Sequence, residues 1–192
     1  AYPLILRKRL APDAPGVLWA RGDLSLMEKP AIALVGSREL GQENRLFAEE
    51  AGRQAALQGL TLVSGNARGA DRTAQDACLE AGGSVICVTA DALMEHDTQE
   101  NVLYLSENSY ETPFSAQRAL SRNRIIHALG WITLVAQVTL QKGGTWDGTV
   151  KNLRHGWSPV ACFRDGSKAA AELERLGAYG IGVEDLKDFS AM

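Results

Sequence analysis

The 192-residue chain reads as an α/β protein, a single domain built on an open, mainly parallel sheet with helices on both faces. Three observations predict this. Short apolar runs of strand length alternate with segments whose apolar residues recur at helical spacing. A glycine-rich turn follows several of the strand-like runs and leads into a helical pattern, as repeated βαβ units require. The runs themselves are nearly unbroken apolar stretches, as expected of strands covered on both sides.

Each element can be justified in order. A lead of 30 residues, punctuated by Pro3, Pro12 and Pro15, is expected to pack on the core, leaving residues 31–192 as the main domain. Ala31–Val35 is the first buried strand and runs into Gly36-Ser37-Arg38. Leu46, Phe47, Ala51, Ala55 and Leu57 mark a helix over 42–58, stopped by Gly59. A second strand over 60–64 meets Gly65-Asn66-Ala67-Arg68-Gly69, and a helix over 70–81 ends at Gly82-Gly83. A third strand covers 84–89, and an acidic, irregular stretch over 91–111 holds a short strand at 102–105. A helix over 115–129 precedes a strand over 131–138, in which Trp131 reads as core. Gly143-Gly144-Thr145 is read as a turn before a helix over 149–155. The strand Val160–Phe163 and a helix over 167–176 complete the pattern.

Composition narrows the function classes. With 45% hydrophobic and 22% charged residues the chain is ordinary globular protein, not a disordered one. Its apolar runs are strand-sized, well short of the ~18–20 residues needed to cross a bilayer, and no basic start leads into an apolar signal region. Twenty Lys and Arg against 23 Asp and Glu give a net charge of −3, which excludes a uniformly basic surface. Cys78, Cys87 and Cys162 are an odd set with no C-x-x-C pair, pointing to a reducing, cytoplasmic setting and to Cys87 and Cys162 as small buried hydrophobes. His96, His127 and His155 stand in no spacing that suggests a metal or a cysteine partner.

The chemistry gathers in the turns. In open α/β sheets the ligand crevice lies beyond the carboxyl ends of the strands, where the strand order reverses. Gly36, Ser37 and Arg38 offer close backbone approach, a hydroxyl and a fixed positive charge; Ser64, Gly65, Arg68 and Gly69 repeat that chemistry. Lys142 and Gly143 supply a third such turn. Helix N-termini at these turns present free N–H groups to an anion. Neither a Walker A pattern nor G-x-G-x-x-G is present, and a single glycine turn alone would mean only a tight bend.

The small net charge conceals a strong asymmetry. Residues 118–154 carry Arg118, Arg122, Arg124, Lys142, Lys151 and Arg154 against Asp147 alone, whereas 91–111 carries six acids and no Lys or Arg. Arginine suits phosphate because its planar fork donates two hydrogen bonds at once. The plainer alternative is a solvated helix face paired with acids of the neighbouring loop.

Taken in order, Tyr2-Pro3, Val17-Leu18 with Gly22, the I-A-L-V-G-S-R run at 32–38, Ser64-Gly65 through Arg68-Gly69 and Asp71, Leu105-Ser106-Glu107, and R-N-R-I-I at 122–126 resemble the DNA-processing protein A family (DprA, also called Smf). The resemblance implies a Rossmann-like core that binds single-stranded DNA in a basic pocket, acts as a homodimer and delivers the strand to a RecA-type recombinase during natural transformation. On matching positions the pocket would comprise Gly36, Ser37, Arg38, Ser64, Gly65, Arg68, Gly69, Arg122, Asn123 and Arg124, with Lys142 and Gly143 on the turn where the family has a small-residue loop. Two positions depart from the family pattern: Gln75 replaces a usual histidine, and Ala119 replaces a usual phenylalanine. Phe114 and Trp146 are the candidate aromatic replacements, Phe114 with the stronger claim to a place in the core.

The competing reading is a nucleotide or nucleotide-derivative binder, or a phosphoribohydrolase-like enzyme of the same superfamily. Those hydrolases carry P-G-G-x-G-T-x-x-E, to which Lys142–Thr149 corresponds only loosely, with Asn152 where the acid would fall. Asp71 is better placed as a cap or turn residue, and His127 and His155 as packed or solvated side chains. The sequence therefore favours a non-enzymatic binding protein without cofactor.

Overall fold

A computed structural model describes residues 2–192. Its centre is an eight-stranded sheet in the order β1-β5-β4-β3-β2-β6-β7-β8. The strands are β1 Trp19–Gly22, β2 Ala31–Val35, β3 Thr61–Ser64, β4 Ser84–Val88, β5 Val102–Ser106, β6 Thr133–Val135, β7 Val160–Phe163 and β8 Tyr179–Ile181. Every pairing is parallel except that of β1 with β5. The helices are α1 Leu4–Leu10, α2 Gln42–Leu57, α3 Ala70–Glu80, α4 Ala116–Leu129, α5 Gly143–His155 and α6 Lys168–Arg175.

Strand residues alternate between two cores, as the pleat demands. Ile32, Leu34, Leu62, Val85 and Cys87 face α2 and α3; Ala33, Val35, Val63, Ile86 and Val88 face α1, α4 and α6. On the first side α2 and α3 approach so closely that a Cβ on Gly52 would lie 2.0 Å from the Ala74 carbonyl oxygen, and Phe47 stacks on Phe163 at 4.6 Å. On the other, Leu6 and Leu10 of α1 are buried, and Arg9 donates to the carbonyls of Ala128 and Gly130 at the end of α4. All three cysteines are free and buried.

Several boundaries differ from the sequence expectation. The lead contributes α1 and β1, so it extends the sheet as well as covering it. The 131–138 run supplies only Thr133–Val135 as strand, and Trp131 stands 42% exposed outside it. The glycine pair at 143–144 is the first turn of α5, which begins six residues before position 149. β8 follows the last helix and had no clear apolar run to announce it.

Topology places the site. From β2 the chain steps outward through β3, β4 and β5, then returns to lay β6 on the opposite flank of β2. The loops leaving β2 and β6 therefore diverge at the carboxyl edge, which is where such sheets open a crevice.

A candidate anion-binding cleft

A cleft of about 660 Å3 lies at this reversal, walled by the loop after β2, the loop after β6, α4 and the start of α5. Gly36, Ser37, Arg38, Arg122, Asn123, Lys142 and Gly143 all line it. A smaller recess of about 380 Å3 adjoins it, lined by Gly65, Asn66, Arg68 and Phe114 and sharing Arg38 and Arg122. The three turns picked out in the sequence thus meet in one place.

Close backbone packing holds the turns together. A Cβ on Gly69 would lie 2.4 Å from the Arg38 carbonyl oxygen and 2.5 Å from that of Ser37, and Gly69 has φ +89°. A Cβ on Gly36 would lie 2.5 Å from the Ala70 Cβ. Only glycine permits that approach at both positions. The Ser37 N–H and hydroxyl donate to the Gln137 carbonyl at 3.0 and 3.3 Å, while the Gln137 side chain accepts from Gly41 N–H and donates to the Glu39 carbonyl. Gln137 follows β6 and had no motif to mark it, yet it shapes the whole 36–41 loop.

The 65–69 loop is shaped from α3. Asp71 Oδ2 accepts from the N–H groups of Gly65 and Ala67 at 3.1 and 3.2 Å. One turn later, Gln75 Oε1 accepts from the Ser64 hydroxyl at 2.7 Å and the Asn66 N–H at 3.1 Å. Asp71 is therefore the turn residue expected, and Gln75 does the holding at the family's histidine position. Burial raises the Asp71 carboxyl to about 6, against the opposing pull of the Arg122 charge and the two backbone N–H donors.

Three of the expected contact residues, Ser64, Gly69 and Arg124, line neither hollow, and Gly69 is the packing glycine described above. Ser64 is fully buried and its hydroxyl is spent on Gln75. Arg124 points away from the cleft: its guanidinium makes a two-pronged pair with Glu107 and also reaches the carbonyls of Asp13 and Ser121. For Arg124 the plainer reading of the basic stretch, pairing with the acidic loop, is what the structure contains. Arg122 lines the cleft but is 7% exposed; its Nη1 donates to the carbonyls of Gly65 and Val88, joining α4 to two strand ends. Burial pushes that guanidinium down, opposed chiefly by Asp71.

The accessible cations are Arg38, Arg68 and Lys142. Among the described residues Arg38 and Lys142 have no carboxylate within ion-pair distance, and Arg68 has only Glu39 at 3.5 Å, both side chains being largely exposed. The N-terminus of α5 carries no side-chain cap, leaving its first N–H groups open beside Lys142. Phe114 is 56% exposed on the rim of the recess, not in the core, whereas Trp146 packs against the α1/α4 core.

The hydrolase pattern finds no acid in place. Asp147 pairs with Lys151 at 2.8 Å, and Asn152 is fully buried in a polar network. Burial lifts the thiols of Cys78 to about 11 and of Cys87 and Cys162 to about 12, far from nucleophilic range. Among the described residues no cluster of His, Cys, Asp or Glu could hold a metal. Among the described residues no helix is long and apolar enough to cross a membrane.

The fold is that of a Rossmann-like domain, with a cleft at its carboxyl edge lined by Arg38, Arg122 and Lys142. A family model for DNA recombination-mediator protein A matches residues 1–178, and the chain belongs to that family. Protein Smf of Escherichia coli is 32% identical over 146 residues, which cover 68% of this chain and 38% of Smf, so the chain spans well under half of that relative. The X-ray structure of DNA processing protein A from Streptococcus pneumoniae superposes with a TM-score of 0.82 at 27% identity, covering 96% of this chain and 69% of that one. The Helicobacter pylori DNA processing protein A, described for its unique single-stranded DNA binding mode, shares the fold at TM-score 0.82 and 21% identity, covering 97% of this chain and 91% of that one.

Proposed function

We propose that the cleft binds single-stranded DNA along its sugar-phosphate backbone, without reading sequence, and that the domain mediates recombination by presenting the strand to a RecA-type recombinase during DNA uptake. One observation carries this reading: Arg38 and Lys142, with no carboxylate within ion-pair distance among the described residues, line a single open cleft together with the uncapped N-terminus of α5. Backbone phosphates need cations and N–H donors and no base-specific contacts, and that is the donor set available. Phe114 beside Arg38 and Arg68 supplies a ring on which a base can stack. Membership of the DNA recombination-mediator family supports the same reading.

The role is one of binding, with no chemical step: the carboxylates that approach the cleft are occupied by backbone N–H groups or stand at its exposed rim. A homodimer and a reducing, cytoplasmic setting complete the proposal, the latter resting on three buried free thiols. Fluorescence anisotropy with labelled oligothymidine across a salt series tests it. Binding that weakens linearly on a log–log salt plot is expected, while no binding at low salt overturns it. Thermal-shift measurements with nucleoside mono- and diphosphates address the competing small-ligand reading, since any ligand of the folded state must raise the Tm.

A further inference from the structure

His127 lines the cleft although it is only 1% exposed, and its hydrogen bonding determines which ring nitrogen carries the proton. The backbone N–H of Ser158 donates to Asn152 Oδ1 at 2.9 Å. A backbone N–H cannot accept, so this bond fixes the orientation of the Asn152 amide and turns its Nδ2 toward its other partners. Those partners are Ser158 Oγ at 3.1 Å and His127 Nδ1 at 3.0 Å. An amide nitrogen only donates; Nδ1 therefore offers its lone pair, and the neutral ring carries its proton on Nε2. Thr133 Oγ1 completes the network on the same inner edge, 3.1 Å from Nδ1.

Nε2 has no hydrogen-bond partner among the described residues. Its neighbour is Gly148, where an added Cβ would lie 3.3 Å away. Gly148 is buried and the same Cβ would lie 3.2 Å from Asn123 Cβ, while His127, Asn123 and the first turn of α5 all line the cleft. Nε2 is not among the fully buried unpaired side-chain atoms, so it is a donor at the cleft wall whose partner must come from the cleft itself. The same cleft presents the open N–H groups at the start of α5 and the Lys142 ammonium, while of its two lining carboxylates Asp71 accepts backbone N–H groups and Glu39 is largely exposed. An acceptor-rich, anionic group is the complement to that set.

We propose that His127 is a ligand-contacting donor, giving its Nε2–H to a phosphate oxygen seated at the uncapped N-terminus of α5. The inference rests on the single-stranded DNA reading and adds a neutral contact to its cationic ones. That distinction is measurable, because a neutral donor strengthens binding without releasing a counterion.

The test combines tautomer-resolved NMR with anisotropy on the full chain. With 15N-labelled histidine, His127 should show the Nε2–H pattern, and oligothymidine should shift that Nε2–H resonance. Parallel titrations with 5′-phosphorylated and unphosphorylated oligomers separate the phosphate sources. A shift with both places an internal phosphodiester on His127, a shift with the first alone places a strand end there, and each supports the proposal. His127→Phe should weaken oligothymidine binding about tenfold with an unchanged salt slope. Gly148→Ala, which covers Nε2 while leaving the Asn152 network intact, should act in the same direction and guards against a His127 variant that fails to fold. An Nδ1–H tautomer, or a resonance that stays still while anisotropy reports binding, overturns the proposal and leaves the DNA reading standing. Absence of any binding by the unaltered chain overturns both.

Discussion

Arg124 and Glu107 form a two-pronged ion pair, Nη2 to Oε2 at 2.6 Å and Nη1 to Oε1 at 3.0 Å, that ties α4 to the loop after β5. Both side chains are largely shielded, at 21% and 11% exposed, and the same guanidinium reaches the Asp13 carbonyl of the lead. The second arginine of R-N-R therefore fastens the N-terminal segment to the domain. Arg124→Ala should lower stability by about 2 kcal/mol, the scale of hydrogen bonds to charged groups. Urea unfolding measures that loss. The salt slope of oligothymidine binding should not change, whereas Arg38→Ala and Lys142→Ala should each flatten it by about 0.7, one phosphate contact on a single strand. A slope flattened by Arg124→Ala would return that residue to the binding surface.

Phe114 gives a prediction of different form. Its ring is 56% exposed beside Arg38 and Arg68, so Phe114→Ala removes a stacking platform and no charge. Stacking on an aromatic side chain contributes about 1–3 kcal/mol per base. Affinity for oligothymidine should fall accordingly while the salt slope and the urea midpoint stay put. A variant with unchanged affinity would show that bases do not reach the recess.

Much of this arrangement was legible in the sequence, and the exceptions have physical causes. Strand runs such as Ala31–Val35 and Val160–Phe163 are buried on both faces and so appear as unbroken apolar stretches. β1 and β8 are short edge strands with exposed positions, and their composition resembles loop. The Gly143-Gly144 pair signalled a turn because glycine is costly inside helices, but at a helix start it lets α5 pack on α4, with Gly144 lying against Leu120 and Asn123. The three phosphate-type turns could be read, since each follows a strand. Which arginines point into the cleft could not, because helical spacing places Arg118 and Arg122 on one face without saying what that face meets. Gln137 and His127 escaped for a related reason: each acts through partners more than 90 or 20 residues away, respectively, that only the folded chain brings together.

Gly69 is where the first two turns touch. An alanine there would place Cβ within 2.5 Å of two backbone oxygens at a φ of +89°, which side chains rarely adopt. The oxygens belong to Ser37 and Arg38, so the clash cannot be relieved by a rotamer change and must push the 36–38 loop outward. Gly69→Ala should cost about 1–3 kcal/mol in unfolding experiments. It should also weaken oligothymidine binding more than its stability loss would suggest, since Arg38 moves with the loop. Normal affinity in a folded Gly69→Ala variant would show that the loop position is not critical.

The cleft floor also holds two buried titratable groups whose effects on stability oppose each other. Burial lowers the His127 imidazole to about 3, so its contribution is present above about 6.5 and is lost as pH falls toward 3. Burial raises the Asp71 carboxyl to about 6, so its contribution is full below the ordinary aspartate range near 4 and is lost as pH rises through 6. Each group changes stability by about 1.4 kcal/mol per pH unit at its steepest, with opposite sign between pH 4 and 6. In the unaltered protein the two slopes largely offset one another there. Asp71→Asn removes one of them and keeps an oxygen to accept from Gly65 or Ala67, so acid should destabilise this variant more steeply than the wild type between pH 6 and 4. Urea midpoints at pH 4, 5, 6 and 7 measure the difference, which should favour the variant progressively as pH rises. A difference that stays constant across that range would mean Asp71 is already ionised throughout, with Arg122 outweighing its burial.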